Sequence, residues 1–417
     1  MTAEAAAAYQ RLPDDVQRLC RLIAVVHPGS EVTMPAAAAL ADIGVDDAER
    51  ALATLSAGWL ATVRGPIVRM SRYALTVQAR EYAQALGVDE SEQLDAALRR
   101  LVEWYRLACV SVAKICNCDR WYVGPGYDQD PAIGFGSQSA ALDWVAVERD
   151  TLQAVQRAAY DAGMYAQVWQ IIEGLWAWYT RARMADDCIR AHTLGLQAAT
   201  EEGNQRAQAR MLMGRSWGYL EKEHLHDAVQ DAQDAQELEE AEGHMVGVAS
   251  AKELIGLAHL KWGKPEAATL VFVGAREIFL TEDLPRGAAW MTRHLGKASH
   301  AAGRYLEAIG QIHQALSYFI QVEHERYHEA RLLLHLARAL IQVVDVDEAY
   351  NAAKRALAIA EEIRSPLEQA LAHVQLADIA ATRGENNAEQ RHLDAARPLL
   401  DGLQGAEAEQ IQQRLTR

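Results

Sequence analysis

Apolar residues near the start of the chain recur at helical spacing. After the proline–acid start Leu12-Pro13-Asp14-Asp15, residues Val16, Leu19, Cys20, Leu22 and Ile23 share one helical face, and His27-Pro28-Gly29 ends the run. Two shorter helices are expected at about 35–42 and 46–56. The period then changes. Trp59-Leu60-Ala61-Thr62-Val63, an Arg64-Gly65-Pro66 bend and Ile67-Val68-Arg69-Met70 read as a short β-hairpin. Helix is expected to resume over 71–86, and three helices with a small hairpin make a winged-helix arrangement for residues 1–86.

Residues 87–164 read as a helical connector, with helices at 91–118 and 137–160 and a long loop at 116–136, CNCDRWYVGPGYDQDPAIGFG. A loop of that length is expected to be either functional or disordered. From 165 to 417 a pattern repeats about every 40 residues. Ser216, Gly256, Gly296, Ala337 and Ala377 form one column of small residues; Ala228, Ala268, Ala308 and Ala349 form a second. Gly195, Ala235, Ala275, Ala315, Ala356 and Ala396 form a third. Large residues stand just before the first column, at Leu175, Ile255, Leu295, Leu336 and Leu376. Close-packed antiparallel helices need this alternation, and a single hairpin cannot bury its apolar face alone, so the hairpins must stack.

These columns resemble the tetratricopeptide repeat, in a long form of about six hairpins, so the expected fold class is an all-α solenoid preceded by the small winged helix. The first repeat departs at Trp176 and Cys188 and the last at Glu389, as capping repeats do. Three further segments, LPDDVQRLCRLIAVVHPG (12–29), Ala79-Arg80-Glu81-Tyr82-Ala83 and AALDWVAVERDTL (140–152), carry a second resemblance. With the repeats, they look like the C-terminal part of bacterial STAND regulators of the SARP type: winged helix, helical connector and tetratricopeptide repeats behind an NB-ARC-type NTPase. The resemblance implies a regulatory role, with the winged helix as an internal hinge.

The NTPase itself is missing from the residues. A P-loop needs Gly-Lys followed by Ser or Thr, yet the two Gly-Lys pairs here continue as Gly263-Lys264-Pro265 and Gly296-Lys297-Ala298. The family's Met-His-Asp phosphate sensor falls on Met70-Ser71-Arg72, without its His and Asp. The chain is therefore expected to run no nucleotide switch by itself, either as a piece of a longer protein or, as the lost sensor argues, as a naturally reduced member. No cofactor is expected.

Charge narrows the partners. With 41 Lys and Arg against 57 Asp and Glu, the net charge of −16 argues against a nucleic-acid-coated surface. No apolar run suits a membrane span or signal peptide, and five scattered cysteines suit a cytoplasmic protein. Any basic site must be local. On two successive first helices, Arg293, Lys297 and His300, then Arg331, His335 and Arg338, fall at i, i+4 and i+7, one helical face each. Side by side in a concave groove, they suit an acidic or carboxylate-bearing protein segment, with Trp290 either as an apolar anchor or, the favoured role for a tryptophan there, as part of the core. The competing reading has the same side chains neutralising acids of adjacent repeats.

Four other features carry candidate chemistry. Arg64, Arg69 and Arg72 around the hairpin suit DNA phosphates, making a winged-helix transcription regulator the alternative function. His324-Glu325-Arg326-Tyr327-His328 spells the zinc-peptidase HExxH, with Glu348 at third-ligand spacing, but its charged neighbours and its place at a repeat boundary rank a metal-dependent hydrolase below both. Cys116-Asn117-Cys118 and His224-Leu225-His226 read as loop residues without metal partners. The expectation is a non-catalytic protein-interaction module without metal or membrane, and with nucleic acid as the less favoured partner.

Overall fold

A computed structural model describes residues 3–67, 70–87, 94–116, 120–323, 326–401, 403 and 406–416, with side chains described for all of these except 3, 64–67, 70, 322, 323 and 406. The chain divides into two compact units, Met1–Met211 and Leu212–Arg417.

The first unit begins with α1 (Ala3–Gln10), α2 (Asp14–Val25), β1 (Val32–Thr33), α3 (Met34–Ala41), α4 (Val45–Ala57), β2 (Ala61–Ile67), β3 (Met70–Leu75) and α5 (Val77–Leu86). The helical stripe read from the sequence is the buried face of α2, with Val16, Leu19, Cys20, Leu22 and Ile23 all inside. The sheet is antiparallel in the order β1-β3-β2, with Val32 opposite Tyr73 and Ala61 opposite Leu75. One expectation is corrected: helix does not resume at residue 71. Residues up to Leu75 form the central strand, and the Thr76 hydroxyl accepts from the Ala79 amide, which caps α5 and prevents an earlier start.

Next come α6 (Leu94–Cys116) and α7 (Gln138–Asp161), whose start is capped by Ser137. They are followed by α8 (Tyr165–Gly174), α9 (Trp176–Arg181), α10 (Ala185–Glu202) and α11 (Gln205–Glu221), within which the division between the units falls. The described part of the long loop is tied down rather than open. Buried Glu173 accepts from the Val123 and Gly124 amides at 2.8 and 2.9 Å, and the Arg210 guanidinium lies 3.4 Å from the Trp121 ring centre.

The second unit continues the hairpins with α12 (Leu225–Ala241), α13 (Met245–Lys261), α14 (Pro265–Thr281), α15 (Pro285–Ala301) and α16 (Tyr305–Tyr318). After a π turn at Phe319–Glu323 come α17 (Arg326–Gln342), α18 (Val346–Glu362), α19 (Pro366–Thr382), α20 (Asn386–Ala396), a 3-10 turn at Arg397–Leu400 and α21 (Ala406–Leu415). The molecule is an all-α solenoid of the tetratricopeptide type. Every described column alanine of this unit is buried, and the Ser216 hydroxyl donates to the Ala228 carbonyl at 2.7 Å. Outside the α16–α17 junction, the turns of this unit between Glu221 and Asn386 each place a residue in the left-handed region, at Glu223, Gly243, Gly263, Asp283, Gly303, Val344, Arg364 and Gly384. Among the described residues no helix is long and apolar enough to cross a membrane.

Candidate functional site

The first helices of the hairpins, α13, α15, α17 and α19, neighbour one another in that order, with α21 next against α19. Their repeat register decides which side chains meet. Lys297, Arg338 and Asp378 hold the same repeat position, one residue past the small column, and Arg293 stands forty residues after Glu253. Side chains on equivalent faces of neighbouring helices are thereby brought together.

Arg293 is 6% exposed, and its guanidinium lies 4.5 Å from the Trp290 ring centre, a cation–π contact. Trp290 is fixed in turn: its indole N–H donates to Glu253 Oε1 at 2.7 Å, and its ring meets His328 edge-on at 4.6 Å. Glu253 also takes a 3.1 Å hydrogen bond from His294 Nε2. Burial pushes the His294 imidazole down to about 4 against the pull of Glu253. Glu253 is thus engaged by Trp290 and His294 and leaves Arg293 without an ion-pair partner among the described residues; the Arg293 Nε is buried with no hydrogen bond.

Lys297 lies one turn further along α15. Burial, then the neighbouring charges of Arg293 and Arg331, push its ammonium down to about 7. Burial and Arg331 likewise lower Arg293, to about 10. His335 is held well below the usual imidazole range by burial and then by Lys297 and Arg293, and its Nε2 is buried without a hydrogen bond. Arg331 is the exception. Burial opposes its charge, but Glu407 and Glu368 hold its guanidinium protonated, at 2.8–3.0 and 3.4 Å. Arg338 is exposed and donates to Gln375 Oε1 at 3.2 Å. His300, half-buried, bonds the Arg338 backbone and packs on Tyr305 at the edge of the group.

The structure therefore brings Arg293, Lys297, Arg331, His335 and Arg338 into one cationic group with Trp290 at one end and His300 at the other. Neutralisation by adjacent repeats, the competing reading, applies to Arg331 alone among the six basic residues. Sequence reasoning missed Glu253, His294 and Glu407. Glu253 carried a signal, since it stands at the Arg293 position one repeat earlier; Glu407 carried none, lying past the last register of the repeats.

The other candidates separate. Arg72 points inward: it is 4% exposed, donates to Glu31 at 2.7 Å and forms a short contact with the fully buried Glu148 of α7. Its charge is spent inside the unit, which corrects its assignment to a DNA-facing surface. Arg64 sits opposite Arg72 in the strand register, but its side chain, like all of Arg69, lies outside the described residues. His324 and Glu325 of the HExxH sequence, and Cys118, also lie outside them; His328 is in the first turn of α17, and Glu348 is 3.8 Å from His313. Among the described residues no three His, Cys, Asp or Glu side chains are grouped to hold a metal.

Fold and site together describe a helical-repeat protein with a cationic group on its first-helix face. No family model matches the chain. It is similar to the regulatory protein AfsR of Streptomyces coelicolor, 27% identical over 383 residues, which are 90% of this chain and 34% of that protein. The chain thus spans about a third of that relative's length. Among solved structures, a Rap protein complexed with competence and sporulation factor matches with a TM-score of 0.52 at 15% identity, covering 75% of this chain and 89% of that one. Aspartyl phosphate phosphatase F from Bacillus subtilis matches with a TM-score of 0.50 at 10% identity, covering 96% and 85%. At such identities the two structures speak for the fold alone.

Proposed function

We propose that the chain is a non-catalytic interaction module of a regulatory system, and that it binds a carboxylate-bearing protein segment at Arg293, Lys297, Arg331, His335 and Arg338. The observation that carries this reading is Arg293. A buried guanidinium without an anion is costly, and this chain has 57 carboxylate residues from which a partner could have been drawn. A carboxylate supplied by another molecule would offset that cost with charge-assisted hydrogen bonds, over a tryptophan floor. The regulatory relative agrees with the role, though it is much longer than this chain.

The N-terminal elements support the same reading. Helices α2, α3 and α4 followed by the β2–β3 hairpin fit a winged helix over residues 1–86, ahead of a connector (87–164) and the repeats (165–417). Helix α4, which a DNA reader would set in the major groove, opens with exposed Asp46 and Asp47, and Arg72 is committed to Glu148. An internal packing role follows for this domain. The test uses a fluorescein-labelled hexaglutamate peptide with a free C-terminal carboxylate. It should bind the intact chain with salt-sensitive affinity, and Arg293→Glu with Arg338→Glu should abolish binding while the helical circular dichroism is kept. Equal binding by that double variant would refute the site.

A further inference from the structure

Part of the cationic group is already occupied, by the chain's own last helix. Glu407, in the first turn of α21, accepts two hydrogen bonds from Arg331 of α17, Nη1 to Oε2 at 3.0 Å and Nη2 to Oε1 at 2.8 Å. This is the bidentate fork by which a guanidinium grips any carboxylate. Glu407 is not a member of the repeat columns and not on a neighbouring hairpin helix; α19 stands between α21 and α17 in the row. Its charge also acts on Arg293, Lys297 and Arg338, so one carboxylate serves the whole group.

The rest of α21 is held at its inner face and its end, where Leu415 packs on the core and its carbonyl accepts from Arg397 at 3.3 Å, while its first turn is tied through Glu407. Ala408 and Ile411 are buried, and Arg414 pairs with Asp378 of α19, one of its two contacts at 3.0 Å. Arg414 is 43% exposed on its side chain and Asp378 32%, which limits what that pair contributes. A ten-residue helix is far too short to persist in water on its own propensity, so its order depends on these contacts. With Glu407 removed, Glu368, 3.4 Å from Arg331, is the one carboxylate in direct contact with the four cations Arg293, Lys297, Arg331 and Arg338 among the described residues.

Resting on the binding reading above, we infer that α21 is the site's resident ligand: Glu407 holds the Arg331 end of the cationic group, and an incoming acidic segment must displace it. The intact chain is then self-inhibited. Its apparent affinity is lowered by the fraction of molecules in which α21 is seated, and a partner with carboxylates for both Arg293 and Arg331 outcompetes a helix that supplies one.

The experiment uses the full chain and the labelled hexaglutamate peptide, with Glu407→Gln, and with Glu409→Gln as control. Glu409 is exposed on the same helix, so its variant removes the same charge without touching the site. We expect Glu407→Gln to bind hexaglutamate about tenfold more tightly, within the usual range of coupling between two linked equilibria, and Glu409→Gln to change affinity less than twofold. Saturating hexaglutamate should also speed amide hydrogen exchange in residues 406–415 of the unmodified chain. If Glu407→Gln and Glu409→Gln behave alike and exchange in α21 is unchanged, while Arg293→Glu with Arg338→Glu still abolishes binding, the site stands and the resident-ligand inference falls. If no form of the chain binds hexaglutamate, the binding reading falls and takes this inference with it.

Discussion

A methyl group added at Gly256 would meet the ring of Phe272 at 2.4 Å. Phe272 is fully buried, so the ring has no free direction in which to give way. Exchanging glycine for alanine inside a helix is worth up to about 1 kcal/mol in propensity, but overpacking a closed core costs about 1–3 kcal/mol. Gly256→Ala should therefore destabilise the second unit, and adding Phe272→Leu should recover part of the loss. Gly274 and Gly310 have nothing within 4 Å, so alanine there should stabilise by about 1 kcal/mol. Urea midpoints of the four variants decide this; a Gly256→Ala chain as stable as Gly274→Ala would show that the small column is not set by the facing ring.

Val344 closes the α17–α18 turn with φ of 64°, where Gly243, Gly263, Gly303 and Gly384 stand in other turns. A β-branched residue in the left-handed region crowds its own carbonyl, at a cost of about 1–2 kcal/mol. The side chain is 76% exposed and adds little packing in return. Val344→Asn should raise stability by about 0.5–1 kcal/mol, since asparagine tolerates this conformation. A midpoint that stays put or falls would mean that the valine packs on something after all.

The solenoid was legible because its cause is periodic: small residues recur where helices nestle, and Ala268, Ala308 and Ala349 are each fully buried. The six basic residues were legible as two helical faces for the same reason. What the spacing could not convey was depth. Arg293 and Arg338 look alike in sequence, but one is buried on Trp290 and the other exposed. Contacts made once, without periodicity, were unreadable: Arg72 with Glu148 spans 76 residues, and so does Arg331 with Glu407. Residues 71–75 of the strand Met70–Leu75 read as helix because the strand is decided by partners at Val32 and Ala61, and two-residue β1 has no pattern of its own.

The pair formed by Arg72 and Glu148 joins β3 to α7 inside the first unit, and the Tyr105 hydroxyl donates to the other Glu148 oxygen at 3.1 Å. Removing one charge from a buried pair strands the other, at about 3–5 kcal/mol, while replacing both by apolar residues is often far milder. Arg72→Met, which leaves the fully buried Glu148 without a cation among the described residues whereas Arg72 would still keep Glu31, should therefore sharply reduce amide-exchange protection in β3 and α7, and Arg72→Met with Glu148→Leu should restore most of it. Exchange is the suitable measure, because a chain of two units need not unfold in one step. If the double variant is as unprotected as the single one, the pair's role is more than mutual neutralisation.

Lys297 makes the proposed binding depend on pH with a defined sign. Its folded pKa of about 7 lies below the roughly 10.4 of an unfolded lysine. Below pH 7 both states carry the proton; from there to about pH 10 the unfolded state binds more, so this residue's contribution to stability rises with pH across that window. A bound carboxylate pulls the other way, since it favours the ammonium. The groups acting on Lys297 are Arg293 from its own helix, Arg331, His335 and Arg338 from α17, and Glu407 from α21. His335 is neutral throughout the window and Arg293 stays charged up to about pH 10, which leaves Lys297 as the group that titrates. Hexaglutamate affinity should be greatest below pH 7 and fall between pH 7 and 9 by up to about tenfold per unit. Calorimetry in buffers of different ionisation enthalpy should then report up to one proton taken up per peptide, and Lys297→Met should flatten the profile. A wild-type affinity that is level from pH 7 to 9 would mean that the ammonium does not meet the ligand.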